Sequence, residues 1–365
     1  MTPQALSSPN VHQALQSASA HFLNLVEIGI LKTFIDFKVF DLIPDEDDIS
    51  ISELAARVGC EEPLLERFSN YLVAVQILDS PATGRLTHTA RSLVYRSGEI
   101  PAGFIVHVYT FFLRPMACWS AYFEKNGLAE PKEAHSIPLG IATGHPDLDL
   151  YGILDAEPNL AKLFNRAQAG SAGIHSLKGV YDFNWMHGVL GQSGERPVIV
   201  DMGGGSGLAL RDILVDNAFI PSERCFVFDL PQAINETKSV LNEGLHSVQL
   251  ISGTMFDTLP QSVMGALVYQ FRRVLSDFLD DAIAEALKRV REACASDSRV
   301  LVVEELLHRN QSTFSIAQDI SVFNFGGKRR SEDAFTKLAT QAGFNVNALF
   351  EDPATGFSVI ELVPT

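Results

Sequence analysis

The sequence is short of positive charge. Against 44 Asp and Glu it carries only 28 Lys and Arg, a formal net charge of −16. A chain this acidic repels phosphate backbones and anionic bilayer surfaces, so neither nucleic acid nor a membrane is an expected partner. Cysteine is scarce as well. Cys60, Cys118, Cys225 and Cys294 are widely spaced, with no CxxC pair. That argues against a disulfide framework and against a zinc site, and it fits four small apolar side chains in a reducing compartment. No metal is expected. An unbroken run of about 18 apolar residues is missing, and the opening MTPQALSSPN has no basic stretch leading into an apolar one. A cytoplasmic protein without a membrane span is the resulting expectation.

What is present suits a globular chain of two ordinary domains: 365 residues, 46% of them hydrophobic. Residues 10–45 are helical in pattern and apolar nearly all round, with Leu23, Leu25, Val26, Ile28, Ile30, Leu31, Phe34 and Ile35. Such a helix must be buried in a core or against another chain, which favours a homodimer. Residues 50–93 then read as helix, turn, helix and hairpin, a winged-helix arrangement. ISISELAARVGC has a serine cap and stops at Gly59; EEPLLERFSNYLVAVQIL has Pro63 in its first turn; DSPATGRLTHT turns back on itself. The second helix sets Glu61, Glu62 and Glu66 against Arg67 alone. Phosphate would repel it, so the segment reads as structural or dimerising rather than DNA-binding.

Residues 101–190 are mostly helical and rich in aromatics. These rings can pack a core, wall an apolar pocket for a bulky small-molecule substrate, or do both. The expected pocket residues are Phe111, Phe112, Trp119, Phe164, Gln168 and Phe323. His107, inside FIVHVYTFF, is either a satisfied core residue or a functional imidazole. From residue 197 strands and helices alternate, which implies a mostly parallel sheet covered on both faces. The chain therefore divides into 1–100, 101–190 and 191–365, with a Gly/Ser-rich join at 191–197. The strand PVIVD ends at Asp201 and enters a loop holding Gly203, Gly204, Gly205 and Gly207 before the helix LALRDILVDN. Glycines there let a ligand approach the backbone, and the helix start offers free N–H groups. Asp229, ending the next strand, is placed for a ribose diol, or caps the turn before Pro231.

The blocks VDMGGGSG, FDLP, GTMF, RRVLSDFLDD and GGKRRSEDAF with QAGF, in that order, resemble the class I S-adenosylmethionine-dependent small-molecule O-methyltransferases. DAEPNLAKLFNRA and the winged-helix segment are similar to the same family. The resemblance implies an α/β, Rossmann-like methyltransferase fold with a mostly parallel seven-stranded sheet whose last strand is antiparallel. It also implies an N-terminal winged-helix dimerisation domain and an obligate dimer. By the same resemblance Asp201, Gly203, Gly205 and Asp229 line the cofactor, Met255 and Phe256 flank its adenine, and Arg272 brings a cation nearby.

Three positions depart from that pattern. Ser276 stands where the family has its catalytic histidine, in Leu275-Ser276-Asp277-Phe278. A serine hydroxyl, with a pKa far above 7, does not take a proton from a phenol unaided. Arg329 replaces the glutamate that orients the histidine, while Glu304 and Glu305 cover the other acid. Thr254 replaces an acid at the adenine. One reading is an O-methyltransferase acting on a small aromatic or polyketide hydroxyl with another base, His107 or Asp277. The reading preferred on sequence alone keeps the cofactor pocket for other chemistry. It resembles the fungal pericyclases on this fold, which steer dehydration or cyclisation of polyketide or alkaloid intermediates with S-adenosylmethionine bound and no methyl transferred. A third reading is a catalytically silent dimer partner. For the preferred chemistry His107, Ser276 and Asp277 are the polar candidates. Arg329 either hydrogen-bonds a substrate oxygen or is a surface arginine beside Lys328 and Arg330. Arg273, His175 and His187 read as ordinary.

Overall fold

A computed structural model describes residues 11–172, 176–192, 194–239, 244–307, 311–352 and 357–365; His175 lies outside them. By packing the chain forms two units, Met1–Thr110 and Phe111–Thr365. The stretch 101–190 is thus shared: its beginning goes with the first unit, and the rest shares a unit with the sheet.

In the first unit, helix α1 (Val11–Asp36) leads. Ile30, Leu31 and Phe34 in its C-terminal half are buried in a core with Phe40, Leu54, Leu65, Leu72 and Leu86. Its N-terminal half leaves Leu15, Phe22, Leu23 and Leu25 exposed. Within it, Leu15–Asp36 has a mean hydropathy of 1.2 and is long and apolar enough to cross a bilayer. His21, Glu27 and Lys32 interrupt it, so it is not an unbroken apolar run of the kind the sequence lacks. Ile30, Leu31 and Phe34 pack as residues of a core helix do. Strand β1 (Ile49–Ser50) then feeds helix α2 (Ile51–Val58), whose Glu53 N–H donates to Ser50 Oγ at 3.1 Å. Helix α3 (Glu62–Ala74) follows, and its Tyr71 hydroxyl donates to the Leu23 carbonyl at 2.9 Å, tying it to α1. Strands β2 (Leu78–Asp79) and β3 (Arg85–His88) complete an antiparallel sheet in the order β1-β3-β2, the wing the sequence predicts. Helix α4 (Ile100–His107) ends on His107.

The second unit opens with helices α5 (Trp119–Asn126), α6 (Leu150–Ala156) and α7 (Pro158–Ala172). Strands and helices then alternate. β4 (Ile199–Met202) leads to α8 (Leu208–Asp216), β5 (Cys225–Asp229) to α9 (Pro231–Ser239), and β6 (Gln249–Ser252) to β7 (Val268–Arg272). After these come α10 (Asp280–Ala293), β8 (Arg299–Glu305), α11 (Thr313–Val322), α12 (Glu332–Gln341), β9 (Phe344–Glu351) and β10 (Phe357–Pro364). The seven strands order as β6-β5-β4-β7-β8-β10-β9. All neighbours are parallel except β10, which runs antiparallel to both β8 and β9. Alternate strand residues serve opposite faces. Val200, Phe228, Tyr269 and Phe271 pack with Ile283, Leu287 and Phe335, while Ile199, Val227, Val268 and Leu301 pack with Leu210, Ile213 and Ile234.

Strand β9, FNVNALFE, puts Asn345 and Asn347 among its apolar residues and pairs only with β10, so its signal is that of an edge. The connections reverse direction between β4 and β7. In such sheets that switch point leaves a crevice beyond the carboxyl ends of the strands, where ligands bind.

The uncovered apolar face of α1 needs a partner surface. The expected assembly is a homodimer at twice 39.9 kDa by light scattering. Phe22→Asp combined with Leu25→Asp should give a folded monomer; a doubly substituted chain that still dimerises would place the interface elsewhere.

Candidate active site

The glycine loop lies beyond β4. Asp201 is buried; its Oδ1 accepts from Gln270 Nε2 at 3.0 Å, and its Oδ2 has no partner among the described residues. Burial pushes this carboxyl up to about 6. The Gly203 N–H donates to the Phe228 carbonyl at 2.7 Å, which fastens the loop to the end of β5. Gly205 has φ +53, and a Cβ there would meet nothing within 4 Å, so the backbone faces open space. Its N–H donates to Asp229 Oδ2 at 2.7 Å, and the Leu230 N–H donates to Oδ1 at 2.7 Å. Asp229 is thereby aimed by two backbone bonds. Burial raises its pKa and those bonds oppose the rise. Met255 and Phe256 are half-buried past β6, where the Phe256 carbonyl accepts from Arg289 Nε at 3.2 Å. Arg272 ends β7 on the sheet face that Asp201 shares, because Asp201 and Gln270 are paired across β4 and β7. Burial lowers its pKa and Asp201 opposes that. With Asp212, Tyr181 and Phe350 it lines a cavity of about 440 Å³ beside α8.

The sequence-predicted reaction centre is a turn held from three sides. After β7, Arg273 takes φ +54 and donates its N–H to the Val303 carbonyl at 3.0 Å. The turn Leu275–Asp277 follows. Buried Glu304 Oε1 collects the N–H groups of Val274, Leu275 and Ser276 at 3.1, 3.0 and 3.3 Å. Arg330, also buried, donates from Nη2 to the Phe278 carbonyl at 2.6 Å, from Nη1 to Lys328 O at 2.9 Å and from Nε to Asp280 Oδ1 at 2.7 Å. On the third side Gly327 approaches so closely that a Cβ would sit 2.2 Å from the Ser276 carbonyl oxygen. The Lys328 N–H donates to that same oxygen at 3.0 Å.

Asp277 projects from this turn into a cavity of about 280 Å³, lined also by Asp149, Tyr151, Phe278, Asp281 and Phe325. Its Oδ2 accepts from the Tyr151 hydroxyl at 3.3 Å. Burial, and then the charge of Glu304, push the carboxyl up to about 7, while Tyr151 and Arg273 pull the other way. Phe278 stacks on Tyr151, with centroids 5.5 Å apart and planes at 13°, and meets Phe256 edge-on at 5.3 Å. An aromatic bridge therefore joins the Met255–Phe256 pair to the turn.

None of the six expected pocket residues is in that lining. Phe111 and Phe164 are buried behind Phe325, at centroid distances of 6.2 and 6.3 Å, and Phe112 also lies 6.2 Å from it. Trp119 donates from Nε1 to Asn324 Oδ1 at 2.8 Å and packs edge-on against Phe323. Gln168 is half-buried on α7. Arg329 is a strut: Nη2 meets Glu305 Oε2 at 2.6 Å and Gln318 Oε1 at 3.1 Å, and Nη1 donates to Ser315 Oγ at 2.8 Å. Its position links β8 to α11. Ser276 lies on the turn but outside the lining. His107 belongs to the first unit, and His187 stacks on Phe219. Sequence reasoning missed Tyr151, Phe325 and Arg330. Only the aromatic richness of the helical region pointed toward the first two, and nothing in KRR singled out the third.

A family model described as O-methyltransferase domain matches residues 130–345, and one described as O-methyltransferase dimerisation domain matches residues 19–97. The chain is 56% identical over 358 residues to "Methyltransferase phm5" of Pyrenochaetopsis sp, covering 98% of each. It is 38% identical to "Methyltransferase eqxD" of Fusarium heterosporum, covering 94% of each. Among solved structures, OxaC in complex with SAH and oxaline is similar with a TM-score of 0.86 at 22% identity, covering 96% of this chain and 87% of that one. LepI in complex with SAM is similar with a TM-score of 0.84 at 19% identity, covering 99% and 90%. At such identities the two structures bear on the fold.

The raised carboxyl of Asp277 has a consequence for stability. The folded state holds this proton more tightly than the unfolded chain, so stability is fullest below the ordinary aspartate pKa and is lost as pH rises through about 7. Asp277→Asn should raise the melting temperature, and more at about pH 8.5 than at about pH 5. The difference should be several degrees, at roughly 2–4 °C per kcal/mol for a domain of this size. A gain equal at both pH values would mean that the carboxyl ionises freely.

Proposed function

The chain belongs to the O-methyltransferase family, and from that we propose that it transfers a methyl group from S-adenosylmethionine to a small-molecule acceptor, with Asp277 in place of an imidazole as the proton acceptor. The observation that carries this reading is the Asp277 carboxyl, raised to about 7 and lining a cavity whose Phe278 wall meets Phe256 edge-on. The residues fit the cofactor: open space lies over Gly205, Asp229 is aimed by two backbone bonds, and Asp201 Oδ2 is buried without a partner among the described residues. Gly203, Gly205 and Asp229 would hold it with Met255 and Phe256, while Asp201 and Arg272 would back the loop. Bound there, S-adenosylmethionine supplies an electrophilic methyl group on a cationic sulfur.

The chain's own residues do the rest. Tyr151, Phe278 and Phe325 give the cavity apolar walls that orient an acceptor and keep water from it. Asp277 takes the acceptor's proton as the acceptor attacks. A base is most useful when its pKa lies near working pH, and burial beside Glu304 puts Asp277 in that range. Such a carboxyl suits an acceptor that is itself fairly acidic, such as an enol or phenol of a polyketide or small aromatic compound. Two copies joined through the dimerisation domain complete the proposed protein.

Ser276 favours a second reading. With no imidazole on the turn, the same cavity would steer dehydration or pericyclic cyclisation, with the cofactor's charge offsetting negative charge that develops in the substrate. The two are separated by incubating the protein with S-adenosylmethionine and a panel of phenols, enolic 1,3-dicarbonyls and polyketides, and following S-adenosylhomocysteine by mass spectrometry. Methyl transfer predicts equal amounts of S-adenosylhomocysteine and methylated product. Asp277→Asn should then lower kcat by about 100- to 10,000-fold, and Gly205→Val should abolish the rise in melting temperature on adding S-adenosylmethionine. A cyclised or dehydrated product without S-adenosylhomocysteine would overturn the proposal for the second reading. Neither binding nor turnover would mean a silent partner.

A further inference from the structure

Tyr151 lies outside the motifs that carry the family resemblance, in the first turn of α6. Asp149 caps that helix, accepting the Gly152 N–H on Oδ1 at 2.7 Å, and so sets the direction in which Tyr151 leaves the backbone. The ring lies flat on Phe278, and the hydroxyl reaches Asp277 Oδ2. Oδ1 of the same carboxylate has no hydrogen-bond donor among the described residues, and Asp277 faces the cavity. Burial and the charges of Asp277, Asp229 and Asp149 hold the Tyr151 proton in place well above the usual phenol range, so at working pH the hydroxyl remains a proton donor.

We propose that Tyr151 is a positioning residue: by occupying Oδ2 it fixes the rotation of the Asp277 carboxylate and presents Oδ1 to the acceptor. The inference rests on the reading of Asp277 as proton acceptor. A carboxylate on a turn, with one oxygen bonded to a restrained phenol, is held in one orientation; without the bond it rotates about its Cβ–Cγ axis, and the geometry needed for proton transfer is diluted. The stack on Phe278 restrains the phenol in turn, so the ring and the turn hold one another. Other charged groups near Asp277 are Glu304 from β8 and Arg273 from the turn. Lys132, Glu133, His135 and Asp281 also line the cavity, so a pH effect needs an internal control.

That control is a double-mutant cycle read across pH in the full-length protein. Tyr151→Phe keeps the stacked ring and removes only the donor. Melting temperatures are measured at about pH 5 and about pH 8.5 for the wild type, Tyr151→Phe, Asp277→Asn and the double variant. Losing the donor disfavours the charged carboxylate, so Tyr151→Phe should lose roughly 2–4 °C more at the higher pH than at the lower. In the Asp277→Asn background the same change should cost equal amounts at both. A Tyr151→Phe effect independent of pH in the wild-type background overturns the inference, and so does a pH-dependent one that survives without Asp277. Turnover by Asp277→Asn would instead overturn the reading on which the inference rests, and that measurement is independent of the melts.

Discussion

One oxygen organises the turn on which the proposed chemistry rests. Oε1 of Glu304, buried at the end of β8, gathers three successive backbone N–H groups from the turn after β7. Three donors on one carboxylate are a strong local constraint, since hydrogen bonds to a charged acceptor exceed neutral ones in strength and carry more weight away from water. Without it, the turn would leave two buried donors unsatisfied, those of Val274 and Leu275, each costing about 1–3 kcal/mol. The constraint also reaches past the turn. Glu304 adds negative charge beside Asp277 and is, after burial, the next cause of that carboxyl's raised pKa. The residue that shapes the site thus also tunes the acid in it. In the family pattern an acid near this position helps to orient a histidine. Here the acid holds backbone, and the side chain that projects is an aspartate.

Several features at this end of the sheet oppose stability. Asp201, Asp229, Asp277 and Glu304 are all carboxyls whose charged form burial disfavours. Arg273 sits in the left-handed region with a full side chain, which costs of order 1–3 kcal/mol. Nothing in the core requires these features. They persist because the sheet beneath is packed on both faces by large buried side chains, Tyr269, Phe271, Phe344 and Phe357 among them, each contributing a few kcal/mol on burial (about 1.5–3 for Phe). Cost concentrated beyond the carboxyl ends of the strands, with a stable layer below, is the pattern expected where a fold carries chemistry.

The sequence made some of this legible and hid the rest for physical reasons. The glycine loop and Asp229 could be read because strand, loop and helix are contiguous, and local order alone fixes where the loop faces. The turn at Ser276 and Asp277 could be located by the family resemblance, through the motif Leu275-Ser276-Asp277-Phe278. Tyr151 could not: its partner is 126 positions away, and no local period reports a contact between a helix and a distant turn. Arg329 and Arg330 show a subtler failure. Three basic residues in a row read as a solvated face, yet the chain leaves Gly327 in such a way that Arg330 turns inward to three backbone carbonyls, Leu275, Lys328 and Phe278, while Arg329 pairs with Glu305. Position 329 drew attention because it replaced a glutamate, but its neighbour shapes the turn. Among the aromatics, Phe111 and Phe164 were expected in a pocket wall, and they pack behind Phe325, which lines the cavity at Asp277. A ring in the wall and a ring behind it have the same signature in sequence.

Replacing histidine with serine at position 276 need not end proton transfer. An imidazole is useful because its pKa is close to 7 without help. A carboxylate in water is several units too acidic to compete, and a buried one near another carboxylate is not. The next residue along the turn, Asp277, meets both conditions: it is half-buried and poorly solvated, and Glu304 is at hand. The base can therefore shift by one position in sequence without a change of fold, provided that the carboxylate is held in one orientation. Three backbone bonds from the turn to Glu304 hold its root, and the Tyr151 hydroxyl holds its tip. Asp277, Phe278 and Phe325 line one cavity, and on the proposed reading what fits against the two rings within reach of the carboxylate selects the acceptor.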